Sequence, residues 1–258
     1  MRLPIAHCLT LLVAVMLLPG CGSERQQPEP VLVAVASNFV PALSQLQPLF
    51  EASGNYRLSM SVGSTGKLYA QIHAGAPYDV LLAADQERPR LLEQEGHAVE
   101  RFVYAHGQLV LWRTGAHGEN PLTPLEQLRT GQFSRLALAN PELAPYGQAA
   151  RSTLGSLGLL EQLTDKLVFG ENLGQAHAML ATGNADLGFT AAAFLPAGVL
   201  PRQVWRVPTT EHTPIVQEAV LLQRAAQKPA AIAFITFLQS PEARELIAKV
   251  GYSVPSNI

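Results

Sequence analysis

Hydroxyl side chains follow a short stretch of this chain that has the pattern of a β-strand. Residues 58–62 alternate in polarity, and Leu68 and Ile72 beyond them recur at helical spacing. The turn Gly63-Ser64-Thr65-Gly66 therefore leads into a helix, whose first backbone N–H groups have no intrahelical partner. With the two hydroxyls and the positive end of the helix dipole, these N–H groups could bind an anion. Taken alone, the turn is also explained if Ser64 or Thr65 only caps the helix.

Donor-rich loops follow three other predicted strands, and each loop leads into a predicted helix. These loops are Ser37-Asn38 after the strand 31–36, residues 140–147 after the strand 136–139, and residues 170–174 after the strand 166–169. Open parallel sheets bind ligands beyond the carboxyl ends of their strands. We therefore expect the four loops to meet around one ligand.

The donors in these loops are uncharged, and this limits the anion that they can hold. Lys67 is the one basic residue among them, and we expect it to point away because Leu68 faces the core. A fully ionised oxyanion only accepts hydrogen bonds, whereas hydrogen phosphate also needs a carboxylate acceptor. We expect Glu142 and Glu171 to be solvated residues of the first helical turn. The pattern therefore favours a fully deprotonated tetrahedral dianion.

A catalytic site is a weaker interpretation of the same residues. Ser37, Ser64 or Thr65 could be a nucleophile only with a base within hydrogen-bond reach, and none of the loops carries a histidine. His177 is nearest, and we interpret it as a structural residue of a helix. The remaining histidines after residue 20 show no metal-ligand spacing; they are His73, His97, His106, His117 and His212. We predict no catalytic residue, no cofactor and no bound metal cation, with a Ser/Thr-dependent hydrolase as an alternative.

The elements that must position these loops form two α/β lobes with mostly parallel sheets. Residues 31–36 are apolar on both faces, as in a central strand covered by helices, and the first part continues as β-α-β-α-β-α. The other predicted elements are strands 79–84, 108–112, 185–189 and 215–222, and helices 147–157, 174–182, 230–238 and 241–250. We predict one lobe from residues 31–107 and 213–258 and the other from 108–212, with crossings near His106 and Thr213. Pro48 should kink or break the first helix.

The N-terminus has the pattern of an export signal. Arg2 precedes an apolar run, 9–18, that is too short to span a bilayer. Leu18-Pro19-Gly20-Cys21 resembles the lipobox of bacterial lipoproteins, which predicts a signal peptide 1–20, acylation of Cys21 and a tether 21–30. Ordinary signal-peptide cleavage nearby is the alternative. Beyond residue 20, Cys21 is the only cysteine, so no intrachain disulfide is possible.

Composition excludes some partners. The 258 residues are 48% hydrophobic and 15% charged, which suits one large or two modest globular domains. The formal net charge is -2 and no block of Lys or Arg occurs, so we expect no binding to nucleic acid.

Several of these segments, taken together, resemble those of the molybdate-binding proteins, the periplasmic receptors of ABC molybdate importers. The resemblance runs from about residue 31 to 252 and implies a two-lobed type II solute-binding fold. Its segments here are Ala36-Ser37-Asn38-Phe39, Gly63-Ser64-Thr65-Gly66, residues 72–80, Ala83-Ala84-Asp85, Asn140-Pro141, Ala144-Pro145-Tyr146-Gly147 and 172–176.

The resemblance also implies a ligand shell. Ser37 and Asn38 would bind the anion through side-chain and backbone donors, and Thr65 through its hydroxyl and N–H. Tyr146 and Leu173 would give backbone N–H groups. Some members of the family add a tyrosine hydroxyl where this chain has Ala191, and we expect Asn38 to supply that donor instead.

The implied function is extracytoplasmic binding of molybdate, and of tungstate, for delivery to an ABC permease. A monomer in the periplasm, held at a membrane only by a lipid on Cys21, would suffice for this role. A receptor for another tetrahedral oxyanion, such as sulfate, remains an alternative.

Overall fold

The structure is a computed structural model that describes residues 27–114 and 121–255. The predicted signal peptide and Cys21 lie outside the described residues. The tether was expected to reach Pro30, but the first strand already begins at Glu29, which pairs with Tyr56. Glu29 and Pro30 extend the strand because their backbone pairs with the neighbouring strand, and not because their side chains are apolar.

The first sheet has four strands that run in one direction and one that runs against them. Its order is β2 (Tyr56–Gly63), β1 (Glu29–Ala36), β3 (Val80–Leu82), β10 (Ile215–Leu222) and β4 (Ala98–Gly107). Strand β10 is the antiparallel member and pairs with both β3 and β4. The C-terminal part of the chain therefore completes the sheet that the N-terminal part begins.

The second sheet also has four strands that run in one direction and one antiparallel strand. Its order is β7 (Leu167–Gly170), β6 (Leu136–Ala139), β8 (Leu187–Ala191), β5 (Leu109–Arg113) and β9 (Val204–Arg206). Here β5 is the antiparallel member, between β8 and β9. The prediction of two α/β lobes with mostly parallel sheets is confirmed.

Helices flank both sheets. They are α1 (Val40–Ala52), α2 (Thr65–His73), α3 (Glu87–Gln94), α4 (Pro124–Thr130), α5 (Pro145–Ser156), α6 (Leu160–Leu163), α7 (Leu173–Ala181), α8 (Pro229–Leu238) and α9 (Pro241–Lys249). Short 3-10 turns cover Ser37–Phe39, Thr164–Lys166, Ala192–Phe194, Pro201–Gln203 and Gln223–Ala225. In the part of the chain that the structure describes, no helix is long and apolar enough to cross a membrane.

Strand β1 is buried on both faces because its two sides meet different helices. Val33 and Val35 pack into a core with residues of α1 and α8, whereas Ala34 packs with Leu68 of α2 on the opposite face. Alternate residues of a strand point to opposite faces, so an apolar run is what such a strand requires. This burial fixes the strand end from which Ser37 follows.

Helix α1 runs through Pro48, so the break that was one of the two expected outcomes does not occur. Proline lacks the N–H that would bond to the carbonyl of Ser44, and both residues lie on the exposed side, where water can satisfy that carbonyl. Leu43, Leu46 and Phe50 are buried on the other side of the helix. Their packing outweighs the local cost of the proline.

Two adjacent segments connect the sheets. The first leads from β4 to β5 through Gln108, and the second leads from β9 to β10. They lie side by side, since Ile215 pairs with Gly107. The C-terminal segment pairs with the end of β4 at the first of them, because the N–H of His106 donates to the carbonyl of Ser253 at 2.7 Å. The boundaries 31–107 with 213–258 and 108–212 stay a prediction.

Candidate functional site

A small cavity lies where the strand ends of both sheets meet. Its lining comes from the loops that the sequence singles out. The lining residues are Ala36, Ser37, Asn38, Gly63, Ser64, Thr65, Ala84, Ala144, Pro145, Tyr146 and Leu173. All five predicted binding residues, Ser37, Asn38, Thr65, Tyr146 and Leu173, are therefore together around one space.

Two hydroxyls from the first lobe have fixed hydrogen-bonding roles. Ser37 Oγ accepts from the N–H of Gly174 at 3.1 Å, and Thr65 Oγ1 accepts from the N–H of Ala84 at 3.0 Å. A hydroxyl has one donor hydrogen besides its acceptor lone pairs. Since the protein already uses these oxygens as acceptors, their hydrogens remain available to donate to a ligand.

Ser64 also lines the cavity, although it was not among the predicted binding residues. It occupies the N-cap position of α2, yet its side chain makes no capping hydrogen bond. Its Oγ is buried and has no partner among the described residues. A buried hydroxyl normally has a hydrogen-bond partner, so this side chain is suited to a ligand rather than to the capping role.

The second lobe presents helix N-termini to the cavity. Pro145 is the first residue of α5 and has no N–H, so Tyr146 carries the first donor of that helix. Leu173 is the first residue of α7, behind an N-cap formed by Asn172, whose Oδ1 accepts from the N–H of Gln175 at 3.1 Å. The first N–H groups of both helices lack intrahelical partners, and the helix dipoles favour an anion there.

The side chain of Asn38 does not have the predicted role. Its Nδ2 donates to Gln217 Oε1 at 2.7 Å and more weakly to the hydroxyl of Tyr252 at 3.4 Å. The Tyr252 hydroxyl in turn donates to the carbonyl of Asn38 at 2.5 Å. Both amide hydrogens are thus directed into the protein. The backbone N–H of Asn38 remains available to a ligand. It lies in the 3-10 turn Ser37–Phe39, directly before α1.

Below the cavity is a buried group of tyrosines beside the crossings. Burial raises the pKa of Tyr104, Tyr146 and Tyr252, so all three hydroxyls are neutral. The hydroxyl of Tyr146 and Nε2 of Gln217 have no partner within residues 27–114 and 121–255. Both approach Gly107, where a Cβ atom would clash with the Tyr146 oxygen. Only glycine fits at that crossing.

No charged side chain lines the cavity in the part of the chain that the structure describes. Glu171 is partly exposed and pairs with Lys67 at 2.7 Å, and Glu142 is exposed and pairs with Arg151 at 3.3 Å. Neither carboxylate lines the space. The arrangement offers hydrogen-bond donors without an acidic acceptor, as a fully deprotonated oxyanion requires.

Polar contacts join the two lobes around the cavity. The N–H of Gly66 donates to the carbonyl of Leu143 at 2.9 Å, in addition to the bond between Gly174 and Ser37. Lys67 does not line the cavity, but it does not point away from the second lobe, because it reaches Glu171 across the rim. The lobes therefore touch on the open side of the cleft.

His177, the nearest candidate base, lies outside this site. Its ring stacks on Trp112 at a centroid distance of 5.4 Å, and Nδ1 is 3.4 Å from Thr190 Oγ1. Burial lowers the pKa of His177. Among the described residues no histidine lines the cavity, so Ser64 and Thr65 have no imidazole base within it.

The fold and the donor-lined cleft define a solute-binding protein with two lobes. The chain matches the family of bacterial extracellular solute-binding proteins over residues 31–253 and belongs to that family.

Two relatives and one solved structure that resemble this chain are named for molybdate binding. The chain is 40% identical to the molybdate-binding protein ModA of Azotobacter vinelandii over 91% of this chain and 93% of the relative. It is 39% identical to ModA of Rhodobacter capsulatus over 93% of this chain and 92% of the relative. A solved periplasmic molybdate-binding protein of Azotobacter vinelandii superimposes with a TM-score of 0.81 at 37% identity, covering 88% of this chain and 100% of the other. The predicted periplasmic-binding-protein-like fold is thus confirmed.

Proposed function

We propose that this chain is the extracytoplasmic receptor for molybdate, and for tungstate, of an ABC importer. The observation that carries the proposal is the buried cavity with hydrogen-bond donors from two lobes and uncharged side chains around it. The relatives at 40% and 39% identity are named for molybdate binding, which supports the same ligand.

The proposed shell consists of two hydroxyls and several backbone N–H groups. Ser37 and Thr65 donate through their hydroxyls, whose acceptor capacity is already in use. Asn38, Tyr146 and Leu173 donate through backbone N–H groups at the starts of helices. Charge compensation comes from aligned peptide dipoles rather than from Lys or Arg.

The lack of an acidic acceptor among the described lining residues favours dianions that carry no proton. Hydrogen phosphate would leave its O–H without a partner in a closed site, which costs roughly 1 to 3 kcal/mol. Molybdate, tungstate and sulfate all meet the protonation requirement. The larger size of molybdate and tungstate is the property by which this cavity would distinguish them from sulfate.

The role is binding, not catalysis. The lobes, proposed as 31–107 with 213–258 and as 108–212, would rotate about the two crossings and close on the ligand. A permease that recognises the closed form would then take up the anion. One chain carries the complete site, which supports a monomer, and acylated Cys21 would hold it at the membrane. Mass spectrometry of the mature N-terminus distinguishes a lipid-modified Cys21 from ordinary cleavage.

Thermal melting with separate oxyanions tests the proposal. A ligand that binds only the folded protein stabilises it by about 2.7 kcal/mol at one hundred times its dissociation constant. Molybdate and tungstate should raise the melting temperature strongly, sulfate much less, and phosphate least. A larger shift with sulfate would make this a sulfate receptor. No shift with any oxyanion would exclude the receptor function.

A further inference from the structure

Three side chains with metal-binding groups converge on the outer surface of the first lobe, away from the cleft. They are His73, Glu95 and His97, and one ligand atom from each lies within 4.8 Å of the other two. The spacing along the chain gave no metal motif, because His73 ends α2 whereas Glu95 and His97 follow α3. Only the packing of α2 against α3 brings them together.

The backbone around these residues is held in place. His73 is the last residue of α2, and Glu95 directly follows α3. Gly96 has a φ of +77°, which turns the chain back after the helix. The N–H of His97 then donates to the carbonyl of Leu92 at 2.8 Å, and Leu92 is fully buried. The turn that presents His97 is therefore anchored to a buried residue of α3.

The electrostatic environment favours a cation. Two helices end at this point, and the negative ends of helix dipoles stabilise positive charge. Glu95 adds a carboxylate, and the hydroxyl of Tyr69 donates to its Oε1 at 2.7 Å. That hydrogen bond orients the carboxylate. It also leaves Oε2 directed towards His73 Nδ1, at 3.4 Å.

We propose that His73, Glu95 and His97 bind a divalent transition-metal ion of the Zn²⁺ class. Two imidazoles and one carboxylate suit Zn²⁺, Cu²⁺ or Ni²⁺, whereas Mg²⁺ and Ca²⁺ prefer oxygen ligands alone. Zn–N bonds of about 2.0 to 2.1 Å place neighbouring tetrahedral ligands about 3.3 Å apart. The side chains of His73 and Glu95 are 61% and 30% exposed, so rotamer changes can close the remaining gap. Water would fill the open position.

Tyr69 has a supporting role in this site. Residues that hydrogen-bond to a metal ligand fix its orientation and raise metal affinity. The Tyr69 ring also stacks on His73, with centroids 6.2 Å apart, so it contacts two of the three ligands. Tyr69→Phe keeps the ring and removes only the hydroxyl, and it should weaken Zn²⁺ binding less than loss of a ligand does.

Calorimetric titration of the untagged protein with ZnCl₂ tests the proposal. Wild type should bind one equivalent, and His73→Ala, His97→Ala and Glu95→Gln should each weaken binding at least tenfold. His106→Gln is the matched control, because it removes a histidine outside the cluster and should leave Zn²⁺ binding unchanged. Absence of binding by wild type, or equal binding by all variants, would overturn the proposal.

Cobalt gives a second measurement that reports coordination directly. Co²⁺ in the place of Zn²⁺ should produce visible absorption bands that are lost in His73→Ala and His97→Ala. Melting temperatures without metal should match wild type, which shows that the variants fold. Molybdate binding should also be unchanged in these variants, so this site and the proposed oxyanion site can each fail separately.

Discussion

On the first lobe the groups that face the cavity include the side-chain hydroxyls of Ser37, Ser64 and Thr65, whereas on the second lobe they are backbone N–H groups at Tyr146 and Leu173. A side-chain hydroxyl is present only where the chain has serine, threonine or tyrosine. A backbone N–H is present at every residue except proline. Both faces therefore offer hydrogen-bond donors. The donors of the first lobe require particular side chains, whereas those of the second lobe require only that the residue is not proline.

The two lobes should therefore tolerate substitutions in the site differently. In the proposed ligand shell, the donors of the first lobe depend on the identity of the residue. On the second lobe the side chains of Tyr146 and Leu173 are buried in the lobe core, and their identity serves packing. A substitution there should matter to the ligand only if it removes an N–H or moves the helix.

The largest expected effect comes from Leu173→Pro compared with Leu173→Ala. Proline suits the first position of a helix, and Asn172 before it is already extended, with φ -140° and ψ 173°. Both variants lose the buried leucine side chain, but only proline loses the N–H. A hydrogen bond to a charged group contributes roughly 1.5 to 3 kcal/mol, so Leu173→Pro should bind molybdate at least tenfold more weakly than Leu173→Ala by calorimetry. Equal affinities would exclude this N–H from the shell.

A slightly smaller effect is expected for Thr65→Ala on the first lobe. The change removes a donor and also leaves the N–H of Ala84 without its acceptor. We expect molybdate affinity to fall by roughly 1 to 3 kcal/mol and the melting temperature of the ligand-free protein to fall as well. Thr65→Ser keeps the hydroxyl and is the control, which should stay close to wild type in calorimetry. If alanine and serine behave alike, the hydroxyl is not a ligand.

The smallest effect is predicted for Tyr146→Phe. The Tyr146 hydroxyl has no partner among the described residues, so its removal costs no hydrogen bond within that part of the chain. Molybdate affinity should remain within about twofold, and stability should be unchanged or higher, because an unpaired buried polar group is lost. A strong loss of affinity in calorimetry would mean that the second lobe also contributes a side-chain donor. That result would remove the contrast between the lobes.

Local patterns predicted most of the secondary structure. Strands 136–139 and 215–222 have the predicted bounds, since both are apolar and bounded by turn residues. The strand Ala98–Gly107 was missed, because Glu100 and Arg101 interrupt its apolar pattern. Arg101 pairs with the buried Glu218 of the neighbouring strand at 3.0 Å, an interaction that the local sequence does not reveal.

The site was predicted in outline but not in its side-chain directions. The strand-end loops were expected to meet, and they do. The amide of Asn38 was expected to donate to the ligand, yet it donates to Gln217. Gln217 itself could have been noticed, because it is a polar residue in a strand that is otherwise largely apolar. No local sequence pattern identifies Asn38 as the partner of Gln217.

Local sequence patterns set which segments become strands and helices, and hence which hydroxyls and N–H groups stand at strand ends. Those properties depend on residues a few positions apart. The tertiary fold selected the partners: Ser37 meets Gly174, 137 residues away, and Asn38 meets Gln217, 179 residues away. It also brought His73 next to His97. Contacts at such separations follow from the packing of whole lobes, which no local pattern encodes.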